Sequence, residues 1–290
     1  MEQIVRDPHF EAGFFLLHPR EGEARIIDRF DLGNPAALPV WRLAQWSSRY
    51  SLAGAPPEPF SDGGVMYANE AKKVIVGRPG SALADLTLEV NAHVEYGDQI
   101  RQSGEPWVHL LVEQEFATMP RLSELEALHF SVSARLLRSD LRPMPGYTPS
   151  LHAAQFLIYF TVQNRNPNSP GFGDFFWFGV PIYDDRYIVI PRYQSPDFNT
   201  SGKYIFTPGS REYTDGDIRS GEWLTIEKDL LPLMLEGLED ARAKGFLPAS
   251  GNPEDYVVSG MNMGWEVPGP FHVAMQVRDL RVTPVWKSKP

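Results

Sequence analysis

The 290-residue sequence contains no cysteine. Disulfide bonds, thiolate metal sites and cysteine nucleophiles are therefore excluded, although such a chain suits reducing and oxidising compartments equally well. The sequence also lacks any run of about 20 apolar residues, the length that a membrane-spanning helix needs. The apolar run at Phe14–Leu17 is too short for the core of a signal peptide. We expect a soluble protein without a targeting segment, and the compartment stays open because a leader can be removed.

The sequence has fewer basic residues than acidic residues. The 27 lysines and arginines face 37 aspartates and glutamates, which gives a formal net charge of −10. This charge repels a phosphate backbone and removes the counterion release that drives most nucleic-acid binding. We therefore expect no nucleic-acid partner.

Several chemical signatures are missing as well. The seven histidines form no HExxH or HxH pattern, and no EF-hand loop is present. The sequence also has no GxSxG elbow, Walker loop or dinucleotide fingerprint. We expect no cofactor and no catalytic metal. A structural calcium at Asp184-Asp185-Arg186 is an alternative, although an ordinary acidic turn is favoured there.

Short β-strands separated by turns dominate the sequence. Its 24 glycines and 26 prolines are spread along the chain, as expected for turns between many strands. Alternation of apolar and polar residues, the pattern of half-buried strands, recurs at 86–96, 108–116, 128–136, 154–164, 176–184 and 271–277. Shorter candidates lie at 74–76, 186–191, 203–207, 223–227 and 256–265. So many strands predict two packed antiparallel sheets.

Two regions differ from this pattern. Residues 229–244 space their leucines as a helix does and stop at Gly245, which predicts one peripheral helix. The first 80 or so residues are less regular, and we expect an edge strand and long loops there. No repeat of 20 to 50 residues is visible. We therefore predict a single β-sandwich domain over residues 1–290, with the irregular N-terminal part packed on it.

The polar faces of the strands carry the functional signal, because neighbouring strand residues point to opposite sides. In segment 107–116 one face is apolar, and the other combines an aromatic ring, an imidazole and two carboxylates. Aromatic rings stack on the apolar faces of sugars, and planar polar groups bind hydroxyls. If the strands at 107–116, 128–136, 154–164 and 176–185 share one sheet, their polar faces form a glycan-binding surface. Its predicted members are Trp107, His109, Glu115, His129, Arg135, Gln155, Tyr159, Gln163, Trp177 and Tyr183.

Two carboxylates are candidates for catalysis. Glycoside hydrolysis requires one protonated and one ionised carboxyl group on either side of the scissile bond. Glu113 and Glu115 lie on the same strand face and hardly flank a sugar, so a partner from another strand is preferable. Glu266 precedes a Pro/Gly turn and points outward if Trp265 points inward. The alternative is that Glu113 and Glu115 form structural ion pairs with Arg135 or Arg165.

The segments Leu110-Leu-Val-Glu-Gln114 and Gly264-Trp-Glu-Val-Pro-Gly-Pro-Phe271 carry a resemblance. They are similar to the nucleophile and acid/base strands of sandwich-fold xylanases and endoglucanases. The segment Phe271–Val282 likewise resembles the closing strand of carbohydrate-binding sandwiches. The similarity implies a jelly-roll sandwich of the concanavalin A-like type, with Glu113 as nucleophile and Glu266 as acid/base. It covers about thirty residues, and Glu115 beside Glu113 departs from the usual pattern.

Four functions follow from these patterns. The leading one is a retaining glycoside hydrolase that acts on a poly- or oligosaccharide in a concave-face cleft through Glu113 and Glu266. The main alternative is a non-catalytic glycan-binding protein that uses Trp107, Tyr159 and Trp177 as stacking platforms. A polysaccharide lyase with Tyr159, His109 or His129 as base is a rival. A sandwich without a sugar site is the remaining possibility, and the sequence leaves the sugar and the oligomeric state open.

Overall fold

The computed structural model describes residues 2–33, 36–61, 63–78, 80, 84–197 and 201–288. Within them lie two α-helices, α1 (Ala92–Tyr96) and α2 (Leu231–Ala243), and three short 3-10 turns at 122–124, 210–212 and 218–220. The strands are, in chain order, β1 (Phe14–Leu17), β2 (Ile26–Phe30), β3 (Trp41–Ala44), β4 (Glu58–Pro59), β5 (Val65–Ala68), β6 (Lys72–Val76), β7 (Leu86–Asn91), β8 (Val108–Glu115), β9 (Leu125–Leu141), β10 (Gln155–Asn164), β11 (Phe175–Asp184), β12 (Tyr193–Pro196), β13 (Tyr204–Thr207), β14 (Leu224–Asp229), β15 (Tyr256–Val267) and β16 (Phe271–Trp286).

The strands form two sheets. The nine-stranded sheet has the order β12-β13-β11-β10-β15-β8-β3-β1-β2, and the seven-stranded sheet has the order β14-β9-β16-β7-β6-β5-β4. All the pairings are antiparallel except β1 with β3 and β11 with β13. The chain crosses repeatedly from one sheet to the other, as at β7 to β8, β8 to β9 and β9 to β10. The predicted all-β, two-sheet sandwich of the jelly-roll kind is confirmed.

The core lies between the two inner faces. On β8 the alternate residues Val108, Leu110 and Val112 are completely or almost completely buried. Trp265 of β15 is also fully buried and meets the ring of Phe156 edge to face at 5.2 Å. Burial of each large apolar side chain stabilises the fold by about 1.5 to 3 kcal/mol. The alternation that buries these residues leaves the intervening residues of β8 and β15 on the other side of the sheet.

The predicted helix at 229–244 is confirmed as α2. Its first turn tolerates a proline, and the Asp229 carboxylate accepts hydrogen bonds from the backbone N–H of Leu231 and Leu128. Met234 and Leu238 pack into the core. Gly237 lets the helix approach the sheet closely, since a Cβ atom there would lie 2.9 Å from the ring of Phe176. No helix of the described residues is long and apolar enough to cross a membrane.

Three expectations about local structure are corrected. The segment 86–96 is a strand only as far as Asn91, and its last five residues form α1. The segment 186–191 forms no strand, and Ile188 is 75% exposed in a loop. The first 80 residues supply the short strands β1 to β6, which belong to both sheets, rather than one edge strand and loops. The sequence did not reveal most of these six strands because each has too few residues to show a clear alternation.

A buried ion pair ties this N-terminal part to the rest of the sandwich. The ammonium group of Lys72 on β6 lies 2.8 Å from the carboxylate of Glu95 on α1, and both side chains are essentially inaccessible. The ammonium group also contacts the Ser48 hydroxyl and the Tyr50 carbonyl. Burial lowers the pKa of Lys72, and the Glu95 carboxylate opposes that effect. The satisfied donors make the pair tolerable in the protein interior.

Candidate functional site

The outer face of the nine-stranded sheet is the face that points away from the core. Strands β8, β15, β10 and β11 lie side by side in it. Their register aligns His109, Glu266 and Gln155 in one row across three strands. A second row aligns Glu113, Asn262 and Tyr159. Most of the polar residues predicted for a glycan surface therefore share this outer face.

Acidic residues near the two edges of the nine-stranded sheet interact electrostatically with groups on this face. Asp197 directly follows the edge strand β12, and Glu21 lies in the loop between β1 and β2 at the other edge. At the usual spacing of about 4.8 Å between strands, a flat sheet would separate its edge strands β12 and β2 by about 38 Å. The charge of Asp197 nevertheless acts on Glu21, Glu266 and His109. Because such interactions fade beyond about 10 Å, we infer that the sheet curves around this outer face, and the curved face is called the cleft below.

Glu266 lies in the centre of this cleft. Its side chain is 20% exposed, and one carboxylate oxygen accepts a hydrogen bond of 3.2 Å from the indole N–H of Trp107. Burial raises the pKa of Glu266 to about 7, the Trp107 hydrogen bond opposes this rise, and the Asp197 charge adds to it. A carboxyl group with such a pKa can hold a proton near neutral pH and give it to a substrate.

His109 lies beside Glu266 between two tryptophans. Its ring centroid is 5.6 Å from that of Trp107 and 5.7 Å from that of Trp46. Burial lowers the pKa of His109 to about 4, although the charge of Glu21 opposes this effect. Its Nε2 atom is 3.7 Å from Glu266 Oε2, but a neutral imidazole forms no ion pair. The imidazole side of this contact is therefore uncharged at neutral pH.

Aromatic rings line the β10–β11 side of the cleft. Trp177 meets Tyr159 edge to face at 6.2 Å and Phe175 at 5.1 Å. All three side chains are partly exposed. The Trp177 indole N–H donates to the Ser201 hydroxyl, which in turn donates to the Asp197 carboxylate. These two hydrogen bonds fix the Trp177 ring relative to the Asp197 carboxylate.

A glycine on β11 lets two side chains close over the sheet. A Cβ atom at Gly179 would lie 2.3 Å from the Thr207 hydroxyl and 2.9 Å from the Tyr159 ring. Burial raises the pKa of Tyr159 well above its usual value, and the negative charge of Glu266 adds to the effect. Tyr159 therefore remains protonated at neutral pH and serves as a hydrogen-bonding phenol.

Glu113 also faces the cleft, but far from Glu266. Glu113 lies opposite Asn262 and Glu266 lies opposite His109, so four residues of the ladder separate them. Four strand residues span about 13 Å, beyond the separation of about 5 to 9.5 Å that glycoside hydrolysis uses. The Arg42 guanidinium lies 2.9 Å from the Glu113 carboxylate. Burial raises the pKa of Glu113, and the Arg42 charge opposes this rise. The ion-pair partner of Glu113 is therefore Arg42, and neither Arg135 nor Arg165.

The remaining predicted members of this face are peripheral. Glu115 is exposed at the end of β8, opposite Gly260. The Gln163 side chain donates to the Gly173 carbonyl at 3.4 Å. Gln155, in the row of Glu266, donates instead to the Asp184 carboxylate.

The predicted place of Tyr183 is wrong. An irregularity in the β10–β11 pairing leaves Phe156 opposite Tyr183 and Leu157 opposite Pro181, so one residue of β11 is skipped. The extra residue turns Tyr183 to the inner face, because side chains alternate with a period of two. The tyrosine is 3% exposed, packs on Trp265 at 5.9 Å and donates its hydroxyl proton to Ser139.

His129 and Arg135 do not belong to the cleft either. Both lie on β9, which is part of the seven-stranded sheet. His129 is exposed there, and the Arg135 guanidinium donates to the backbone carbonyl of Gly221. The sequence shows that 128–136 is a strand, but its alternation carries no information about which sheet contains it.

The acidic turn after β11 is held by protein groups. Arg186 binds the Asp184 carboxylate, and the Asp185 carboxylate accepts from the backbone N–H of Ala154. Burial raises the pKa of Asp185 to about 6. Among the described residues no group of three or more His, Asp or Glu side chains is arranged to hold a metal ion. The acidic-turn interpretation accounts for this segment.

Strand patterns missed three residues of the cleft: Trp46, Glu21 and Asp197. Trp46 follows β3, and the other two lie in loops. Loop residues have no periodic pattern that predicts their direction. The only local signal is the turn sequence Pro19-Arg-Glu-Gly22.

No family model and no curated protein matches the sequence. Among solved structures, a family 12 xyloglucanase from Bacillus licheniformis is similar, with a TM-score of 0.45 at 9% identity over 83% of this chain and 99% of the other. The endoglucanase cel12A from Rhodothermus marinus gives 0.39 at 11% identity over 80% and 97%. The family 11 xylanase from Neocallimastix patriciarum gives 0.40 at 10% identity over 84% and 100%.

These solved structures are glycoside hydrolases of families 12 and 11, the kind of sandwich that the sequence resembles. At TM-scores below 0.5 the likeness carries no argument about activity.

Proposed function

We propose that the cleft binds a poly- or oligosaccharide and that Glu266 is the general acid for hydrolysis of its glycosidic bond. The observation that carries the proposal is the setting of Glu266, which lies on the outer face with its side chain 20% exposed and accepts a hydrogen bond from the Trp107 indole, while burial raises its pKa to about 7. Trp107 on one side and Trp177 on the other offer partly exposed aromatic surfaces. Rings so placed can stack on sugars, and polar side chains between them can bind hydroxyls.

The pKa shifts of the candidate bases favour hydrolysis over the lyase alternative. A lyase needs a base that removes a proton from carbon, and a base works best when its pKa lies near the working pH. Burial raises the pKa of Tyr159 well above 10 and lowers the pKa of His109 to about 4. Neither group suits that role, whereas Glu266 suits the role of an acid.

A panel of β-glucans, xylans and uronate polymers tests the proposal, with cleavage and binding measured in parallel. We expect wild type to cleave at least one polymer, and Glu266→Gln to bind that polymer with cleavage reduced at least 100-fold, since general acids contribute about 100- to 10,000-fold. Trp177→Ala should weaken binding. Glu239→Gln, on the exposed side of α2, is the matched control.

Other outcomes of the panel are informative. Binding without cleavage by wild type would favour the non-catalytic glycan-binding alternative. Cleavage by Glu266→Gln at the wild-type rate would exclude Glu266 as the acid. Absence of both binding and cleavage would contradict the carbohydrate proposal for these polymers.

A further inference from the structure

A polar cavity of about 520 Å³ lies where β8 begins. Its volume falls within the range of about 300 to 1,000 Å³ that small-molecule sites occupy. Its wall is built by residues of three segments, 47–49, 95–102 and 105–108. The side chains of Arg49 and Asp98 in this wall are exposed, so the cavity is open to solvent.

Buried polar side chains hold the wall of this cavity in place. The Glu95 carboxylate, which is almost inaccessible, accepts a hydrogen bond of 2.8 Å from the backbone N–H of Arg49. Arg101 is 6% exposed, and its guanidinium donates to the backbone carbonyls of Glu105 at 2.9 Å and Pro268 at 3.2 Å. The cavity is therefore preformed, and a preformed site lowers the entropy cost of binding.

The cavity adjoins the cleft at Trp107. The two chain neighbours of this tryptophan, Pro106 and Val108, line the cavity. The Arg101 guanidinium in the cavity wall lies 5.4 Å from the centroid of the Trp107 ring. The indole N–H of the same residue donates to the Glu266 carboxylate at 3.2 Å. A single side chain thus contacts both the cavity wall and the proposed acid.

The wall of the cavity offers donors and acceptors without an excess of either charge. Its two arginines are balanced by Asp98 and Glu105, and its third acidic residue, Glu95, is paired with Lys72. Within the described part of the chain, neither the Arg49 guanidinium nor the Asp98 carboxylate has a hydrogen bond or an ion pair. Such a wall suits an uncharged ligand rich in hydroxyl groups, because each hydroxyl both donates and accepts.

We propose that this cavity is a subsite for an uncharged sugar residue of the bound glycan, an inference that rests on the proposed function of the cleft. The glycan passes Trp107, and a residue beyond the one next to Glu266 enters the cavity. There Arg49 donates to sugar hydroxyls and Asp98 accepts from them. The substrate is then a neutral polysaccharide, such as a glucan or a xylan, that fills both the cleft and the cavity.

Oligosaccharides of increasing length, prepared from the polymer that wild type binds best in the panel, test the subsite. Calorimetry in the Glu266→Gln background measures their affinity while the sugar stays intact. Arg49→Ala should weaken binding of the longer oligosaccharides about tenfold, the value of a hydrogen bond to a charged group, and change that of the shorter ones less than about twofold. Gln99→Trp, which fills part of the cavity, should give the same pattern without removing a charge.

Two controls make the same changes at exposed residues away from the cavity. Arg281→Ala lies on β16 of the seven-stranded sheet. Gln194→Trp lies on β12, where the side chain of Gln194 contacts the ammonium group of Lys244. Both controls should bind oligosaccharides of every length as the parent protein does.

The outcomes separate this inference from the proposed function. If wild type binds no polymer, the glycan proposal and the subsite both fail. If Arg49→Ala and Gln99→Trp bind every length as the parent does, only the subsite fails. An equal loss at every length would also overturn the subsite, because it would show damage to the cleft rather than a missing contact. A uronate oligomer that gains as much affinity with length as a neutral one would contradict the uncharged ligand.

Discussion

At the scale of the residue, the cleft combines groups whose environments shift their pKa values in opposite directions. Burial raises the pKa of Glu266 to about 7 and lowers that of His109 to about 4. Both shifts favour the neutral form, which the interior stabilises relative to the charged form. A protonated carboxyl group thus lies beside a neutral imidazole at pH 6, the state that an acid needs before reaction.

The raised pKa of Glu266 predicts a stability gain on substitution. Above pH 4.5 an unfolded chain releases the proton that the folded protein keeps to about pH 7, so the wild type loses stability as pH rises through this range. Glu266→Gln removes that loss. We expect the variant to be about 1 to 3 kcal/mol more stable than wild type at pH 8 and equally stable at pH 4. Urea unfolding at both pH values measures the difference.

Glu239→Gln serves as the control for this experiment, because its side chain is exposed on α2. A glutamine variant at position 266 that is no more stable than wild type at pH 8 would show that the carboxyl group is already well solvated.

At the scale of the element, one irregularity in the β10–β11 pairing decides which aromatic residues reach the cleft. Trp177 lies before it and faces outward, whereas Tyr183 lies beyond it and faces the core. Strict alternation predicts the same face for both residues. Gly179 and Pro181 both lie before the skipped residue, so neither marks its position in the sequence.

Paired substitutions test this assignment. Tyr183→Phe removes the hydrogen bond to Ser139 and should lower the free energy of unfolding by about 1 kcal/mol, with glycan binding unchanged. Trp177→Ala should weaken glycan binding and affect stability less than removal of a core tryptophan, because its ring is partly exposed. Denaturant titration and binding to the best polymer of the panel give both quantities. Weakened binding by Tyr183→Phe at normal stability would contradict the inward orientation.

At the scale of the whole molecule, the N-terminal 80 residues are integral to both sheets. They contribute β1 and β3 to the wall of the cleft, and the Lys72–Glu95 pair connects β6 to α1. Removing one partner of such a pair leaves an uncompensated buried charge, which costs about 3 to 5 kcal/mol.

The buried pair therefore predicts that a variant lacking one partner is less stable than a variant lacking both. Lys72→Met should destabilise the protein by about 3 kcal/mol or more, and Lys72→Met combined with Glu95→Leu should recover most of this loss. Thermal unfolding of the three proteins measures it. A Lys72→Met variant as stable as wild type would show that the pair is not needed to join these parts.

Sequence patterns predicted the parts of the fold that depend on local periodicity. The strands at 108–116, 154–164 and 256–265 and the helix at 229–244 were found because their alternation or helical spacing is long. The outward direction of Glu266 followed from the same alternation. Alternation did not show which sheet contains each strand, since β9 has the same pattern as β10 but lies in the other sheet.

The candidate site was predictable to the extent that it lies on regular strands. Trp107, His109 and Glu266 come together because the β8–β15 register aligns them. Glu21 and Asp197 reach the cleft only through the curvature of the sheet and the course of two loops, which no local pattern encodes. The predicted pairing of Glu113 with Glu266 depended on a register that the sequence does not specify, and it remains a prediction.

We propose that a glycan binds on the outer face of the nine-stranded sheet, over Glu266. A crystal structure of Glu266→Gln soaked with an oligosaccharide from the best-bound polymer tests this proposal. We expect sugar electron density between Trp107 and Trp177, with a glycosidic oxygen within hydrogen-bond distance of residue 266. Sugar bound instead on the seven-stranded sheet, or a cleft that stays without sugar while binding persists in solution, would contradict it.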